Sequence, residues 1–138
     1  VKPEAIFVPV SVLAMWTAAV VFLTGFVRIR AVRRGRLPRN AFRLGEVPEV
    51  PPDVTVANRN LMNLLEMPLL FYVVCIAAYT TRHAEPKFVA LAWAYVGLRL
   101  VHSLIHLTTN RVIHRLTAFA LSNVVLLAMW IRFIRRVL

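Results

Sequence analysis

Arg59, Asn63 and Glu66 lie inside an otherwise apolar stretch at the spacing Arg-x-x-x-Asn-x-x-Glu. Residues three and four apart share one face of a helix, so the three polar side chains point the same way. An ionisable group inside a bilayer is expensive and persists where it meets a partner, a ligand or a water-filled cavity. The chemistry such a face offers is recognition. Arginine presents a bidentate donor fork to carboxylates, asparagine both donates and accepts, and glutamate receives an ammonium group. A second polar face, Arg99, His102 and His106, recurs at i, i+3 and i+7 in a later apolar stretch.

The elements that must carry these faces are membrane helices. The chain has 138 residues, 59% of them hydrophobic, with a mean hydropathy of +0.68, which excludes an ordinary soluble domain. A bilayer crossing takes about 20 helical residues. Four stretches reach that length, over residues 6–27, 57–79, 88–107 and 116–134. The expected fold is all-α and integral to the membrane, a single domain whose four transmembrane helices form an up-down antiparallel bundle. The first stretch is too long for the apolar core of a secretory signal and reads as a retained helix. The connections over 80–87 and 108–115 are short, which favours antiparallel neighbours. The connection over 28–56 is long, and Gly35, Pro38, Gly45, Pro48, Pro51 and Pro52 argue against continuous helix there. It reads as an extended flap, with Arg30–Arg36 prolonging the first helix.

The net charge of +11 is mostly arginine. Arg28, Arg30, Arg33, Arg34, Arg36, Arg39 and Arg43 lie in the first connection, and Arg111 and Arg115 in the third. The positive-inside rule puts those two connections in the cytosol and both termini on the opposite side. Lys2, Arg82, Lys87, Arg132, Arg135 and Arg136 fall on that opposite side. No nucleic-acid module is recognisable, so nucleic acid is not an expected partner. The single cysteine, Cys75, excludes an intrachain disulfide and reads as a packing residue. Gly97, Ala77 and Ala78 are positions where helices can approach closely.

Counting 1.5 Å per residue, Glu66 lies roughly 13 Å from the cytosolic start of its helix, and Arg99 roughly 12 Å from the cytosolic end of its own. The two are level, and an Arg99–Glu66 pair is the cheapest way to keep both charges at that depth. In one arrangement that pair is the whole story and the Asn and His side chains are hydrogen-bonding glue. In the other, the faces line a pocket open to the cytosol for a small carboxylate-bearing ligand. Arg59, Asn60, Asn63, Glu66, Arg99, His102 and His106 are more than one pair needs, which favours the pocket. His102 and His106 have a chelating spacing, but Arg99 would repel a cation and no further carboxylate lies within the bilayer, so no metal is expected.

Arg59-x-x-x-Asn63-x-x-Glu66 followed by Pro68 resembles the second-helix signature of the MAPEG family, the membrane-associated proteins in eicosanoid and glutathione metabolism. The basic pair Arg33-Arg34 after the first helix, the proline-containing loop and four spans in a chain of this size are also similar. So is Arg99-x-x-His102-x-x-x-His106, where many members carry Arg-x-x-Tyr-x-x-x-Tyr. The resemblance implies a homotrimer in a bilayer, expected to be a bacterial inner membrane, with glutathione bound between subunits near the cytosolic face. By the same resemblance Arg59, Asn63, Glu66, Arg99, His102, Arg33 and Arg34 contact the tripeptide. Glutathione, or a related thiol, would be ligand or substrate, conjugated to a lipophilic small molecule arriving through the bilayer. The family arginine that stabilises the thiolate aligns with Ile113, so Arg111 or Arg115 beside it would take that role, with His106 as base or donor. His102 and His106 in place of tyrosines also fit a non-catalytic scaffold or accessory subunit that keeps the fold. A small transporter ranks behind both, for want of broken helices and repeat symmetry.

Overall fold

Each apolar stretch forms one helix in a computed structural model that describes residues 2–43, 45 and 49–138. Residues 44 and 46–48, including the expected breaker Pro48, lie outside the described residues. After a 3-10 turn at Pro3–Ile6 come α1 (Phe7–Arg33), α2 (Pro52–Thr80), α3 (Pro86–Leu107) and α4 (Val112–Val137), and no strand occurs among the described residues. All four helices are long and apolar enough to cross a membrane.

The helices overrun the expected spans at polar ends. α1 continues to Arg33, where Gly35 at φ +68° closes it. The Gly35 N–H donates to the Val32 carbonyl and the Arg36 N–H to the Ala31 carbonyl, both at 3.0 Å. Those two bonds satisfy carbonyls that a helix end leaves orphaned, and the left-handed residue between them costs glycine nothing. α2 begins at Pro52, not Ala57, because proline at a first helical position gives up only an N–H that had no partner there. α4 begins at Val112, so Arg115 belongs to a helix rather than a connection.

Contacts between helices set the register. Phe7 at the start of α1 meets Tyr79 near the end of α2, with ring centroids 4.7 Å apart. At the other end Thr24 Oγ1 donates to the Ala57 carbonyl at 3.4 Å. Phe71 of α2 stacks on Tyr95 of α3 at 4.6 Å, and His102 late in α3 reaches Arg115 early in α4. Every sequential pair is antiparallel. α3 packs along α4 and α1 along α2, while α2 and α3 touch across the middle; α1 and α4 make no contact among the described residues. The bundle therefore has α2 and α3 on its short diagonal. The turns at Thr81–Glu85, together with both chain ends, define one end, called here the terminal end. The other, the flap end, carries the α1–α2 and α3–α4 connections.

Lipid offers no hydrophobic drive between helices, so association depends on packing and interhelical hydrogen bonds. The packing is a column of fully buried side chains, among them Leu13, Leu64, Phe71, Val74, Cys75, Tyr95 and Met129. A smaller cluster of Ala31, Leu37 and Val54, with Phe42 against it, seats the first part of the flap on the bundle. Arg36 grips Asp53 with two bonds at 2.8 and 3.2 Å, and the Arg28 guanidinium sits 4.9 Å from the Phe42 ring centre. That part of the flap is folded onto the helices rather than extended. Gly97, expected to admit a neighbouring helix, is exposed and has open space around it.

At the terminal end Glu85 accepts from Arg132 at 2.8 Å and pairs with Arg136 at 3.1 Å. The Arg132 hydrogen bond is the main reason its carboxyl is held below the ordinary glutamate value. A depressed folded value contributes stability above the unfolded value and loses it as pH falls through the folded one. Thermal melts from neutral pH down through the acid range are expected to show the native chain losing Tm across and below the carboxylate range. Glu85→Gln removes that component, leaving a flatter profile over the same window.

Candidate functional site

Pro68 sets the local geometry of α2. It lacks the N–H that would bond the Leu64 carbonyl, and its ring crowds that carbonyl. The turn before it is where a helix carbonyl can lean toward a side-chain donor. Arg99 reaches that turn at the carbonyl of Asn63, next to the one Pro68 leaves without a donor. Its guanidinium Nη2 donates to the Asn63 carbonyl, and its Cζ lies 5.5 Å from the Phe119 ring centre, within cation–π range. Arg99 is 0% exposed, and its Nε and Nη1 find no hydrogen-bond partner among the described residues.

The expected Arg99–Glu66 ion pair does not form. Glu66 is exposed on the outer face of α2 and makes no ion pair among the described residues. Depth arithmetic placed the two level; it could not see that α2 turns Glu66 outward while Arg99 points into the core.

α4 contributes the second guanidinium. Arg115 Nη1 donates to Asn110 Oδ1 at 2.6 Å and approaches His106 Nε2 at 3.4 Å. Asn110 has φ +48°, a left-handed conformation that asparagine tolerates better than most residues. The Arg115 carbonyl in turn accepts from His102 Nδ1 at 2.9 Å. A carbonyl only accepts, so His102 carries its proton on Nδ1 and offers a lone pair at Nε2. His106 receives the Arg115 donor at Nε2, which leaves its proton on Nδ1. Neither His102 Nε2 nor His106 Nδ1 has a partner among the described residues, and both atoms are buried.

These side chains converge on one cavity of about 340 Å³, within the range of roughly 300–1,000 Å³ typical of small-molecule sites. Arg59, Asn63 and Glu66 line it from α2, His102 and His106 from α3, and Arg115 from α4, with Met62, Val112, Leu116 and Phe119 as apolar wall. Two arginines, one carboxylate, an amide and two imidazoles thus share one small volume at the flap end. Arg59 and Glu66 are exposed, so the cavity opens outward between α2 and α4.

The remaining sequence candidates lie elsewhere. Arg99 sits behind the cavity and touches its lining through the Asn63 backbone and the Phe119 ring. Arg111 is the exposed residue before α4, and Arg33 and Arg34 are exposed at the end of α1; none lines the cavity. Ile113, on the position aligned with the family arginine, is 78% exposed, and Arg115 is the basic residue that faces the histidines. The apolar wall carried no sequence signal beyond membrane composition. Asn60, grouped above with the pocket residues, belongs instead to a buried network: its Nδ2 and Trp16 Nε1 both donate to Ser103 Oγ at 2.8 Å. Trp16 and Ser103 gave no such signal, since a lone tryptophan or serine in a span reads as packing.

The family model described as MAPEG family matches residues 6–135, nearly the whole chain. No curated protein and no solved structure matches it.

Proposed function

This chain belongs to the MAPEG family, and from that membership we propose that its cavity binds glutathione or a closely related thiol and conjugates it to a lipophilic electrophile. The observation that carries the reading is the convergence of Arg59, Asn63, Glu66, His102, His106 and Arg115 on one volume. A tripeptide thiol with two carboxylates and an ammonium group matches that set. Arg59 takes a carboxylate by bidentate hydrogen bonds, Glu66 takes the ammonium group, and Asn63 reads the peptide backbone.

Arg115 supplies the electrostatics of the reaction. A cation close to a thiol favours the thiolate, which is the nucleophile. The thiol proton goes to an imidazole of the cavity lining, His102 or His106. The thiolate attacks the electrophilic carbon and the halide leaves, so one C–S bond forms as one C–halide bond breaks.

Glu66 on the outer face of a membrane-crossing helix supports assembly. A carboxylate facing hydrocarbon costs several kcal/mol, and a second copy seated against α2 would enclose it and close the open side of the cavity. A homotrimer in a bacterial inner membrane, with the flap end in the cytosol, meets that need.

Purified chain assayed with glutathione and an aryl halide is expected to turn over, and glutathione should raise its Tm. Arg115→Ala lowers kcat/KM by about 10²–10³-fold, as loss of one charge-stabilising donor does, whereas Arg59→Ala acts mainly on KM. Absence of both turnover and stabilisation sinks the proposal. Stabilisation without turnover assigns the chain to the non-catalytic accessory class, a reading favoured by the histidines at two tyrosine positions.

Arg99 separates stability from function. Burying an incompletely paired charge costs more than a well-packed apolar side chain, so Arg99→Met is expected to melt at or above the native temperature. Losing the grip on Asn63, it should at the same time lose most of the Tm gain with glutathione.

A further inference from the structure

The positive-inside rule accounts for the arginines of one membrane face only. Whichever way the bundle is inserted, the arginines at the flap end and those at the terminal end fall on opposite sides. Arg132, Arg135 and Arg136 therefore need a separate explanation, and they are not scattered. They rim a cavity of about 560 Å³ between α3 and α4, whose other lining residues are Leu91, Ala128 and Ile131. Glu85 is the carboxylate paired here, and it engages Arg132 and Arg136. Arg135 is exposed and has no hydrogen-bond or ion-pair partner among the described residues.

The vertical order of these residues defines the ligand. α4 runs outward to the terminal end, so Ala128 lies roughly 10 Å deeper in the bilayer than Arg135 at 1.5 Å per residue. Leu91, on the second turn of α3, faces the same groove. The groove is apolar on its bilayer side and cationic at the level of the headgroups. Three guanidinium groups meet one carboxylate, which leaves an excess of positive charge. Arginine matches phosphate oxygens with a planar fork and sheds its own hydration readily. A soluble anion would use the rim and leave the apolar floor idle, whereas a phospholipid uses both.

We propose that the α3–α4 groove at the terminal end is a binding site for an anionic phospholipid, its phosphate held by Arg132, Arg135 and Arg136 and an acyl chain laid along Leu91, Ala128 and Ile131. Glu85 has a positioning role: by fixing Arg132 and Arg136 it holds two of the three guanidinium groups at the rim. Arg135 is the group left free to close on the phosphate.

The test uses the full chain in neutral detergent micelles, titrated with phosphatidylglycerol, phosphatidylcholine or inorganic phosphate, with Tm and native mass spectrometry as readouts. Phosphatidylglycerol is expected to raise Tm and to remain bound in the gas phase, and the other two probes are not. Arg135→Gln should weaken the phosphatidylglycerol response about fivefold, the usual worth of one basic residue near an anionic surface, with the lipid-free Tm unchanged. Leu91→Trp, which fills the floor and spares every arginine, should abolish retention of the lipid. Equal stabilisation by phosphatidylcholine, an unaltered response in both variants, or the same Tm gain from inorganic phosphate alone would each overturn the assignment.

Discussion

A guanidinium with no exposed surface has to be answered inside the protein, because hydrocarbon supplies no hydrogen bonds and a spanning chain must satisfy its polar groups internally. Arg99 is that group here. Its one hydrogen bond goes to the backbone of α2, its aromatic neighbour belongs to α4, and it grows from α3. Three helices are thus fixed by the requirement of one side chain. The rotation of α2 follows from it: with the Asn63 carbonyl turned toward Arg99, the rest of the Arg59–Glu66 face lies along the α2–α4 opening. The cavity is the space left beside this anchor.

The polar side chains of the bundle differ in how fully they are answered. Trp16, Asn60 and Ser103 join α1, α2 and α3 in a buried contact deep in the packing; such interhelical bonds in membranes contribute about 0.6–2 kcal/mol each. Asn110, Arg115 and His102 join the end of α3 to the start of α4. Other atoms, among them Arg99 Nε and Nη1, Tyr95 Oη, His102 Nε2 and His106 Nδ1, are buried with no partner among the described residues. The two imidazole nitrogens are the ones of these whose residues line the cavity. The same difference separates Arg132 and Arg136, held by Glu85, from Arg135.

Helix number and order were legible because the bilayer imposes length: an apolar run of about 20 residues has few other fates. Helix ends were less so. Pro51-Pro52 reads as a break, yet Pro52 starts α2, since a proline disturbs only what precedes it. Arg111, His114 and Arg115 look like connection, yet His114 and Arg115 lie within α4, whose polar first turn sits beside the cavity rather than in lipid. Periodicity identified the α2 and α3 faces and brought His102, His106, Asn63 and Glu66 to one place. It could not give the partner of Arg99, because a backbone carbonyl has no letter in the sequence. Alignment by position stopped at Ile113, which helical phase turns outward; of the two arginines named beside it, Arg115 lines the cavity and Arg111 does not.

His106 lines the 340 Å³ cavity and also a second one of about 330 Å³ between α1, α2 and the end of α3. The second is bordered by Asp53, the residue through which Arg36 seats the flap. His106 is therefore a wall shared by two compartments, one of them the candidate site and the other bordered by the residue that seats the flap. A substitution at this one position alters both walls at once, so the loop and the interior of the bundle meet at a single residue.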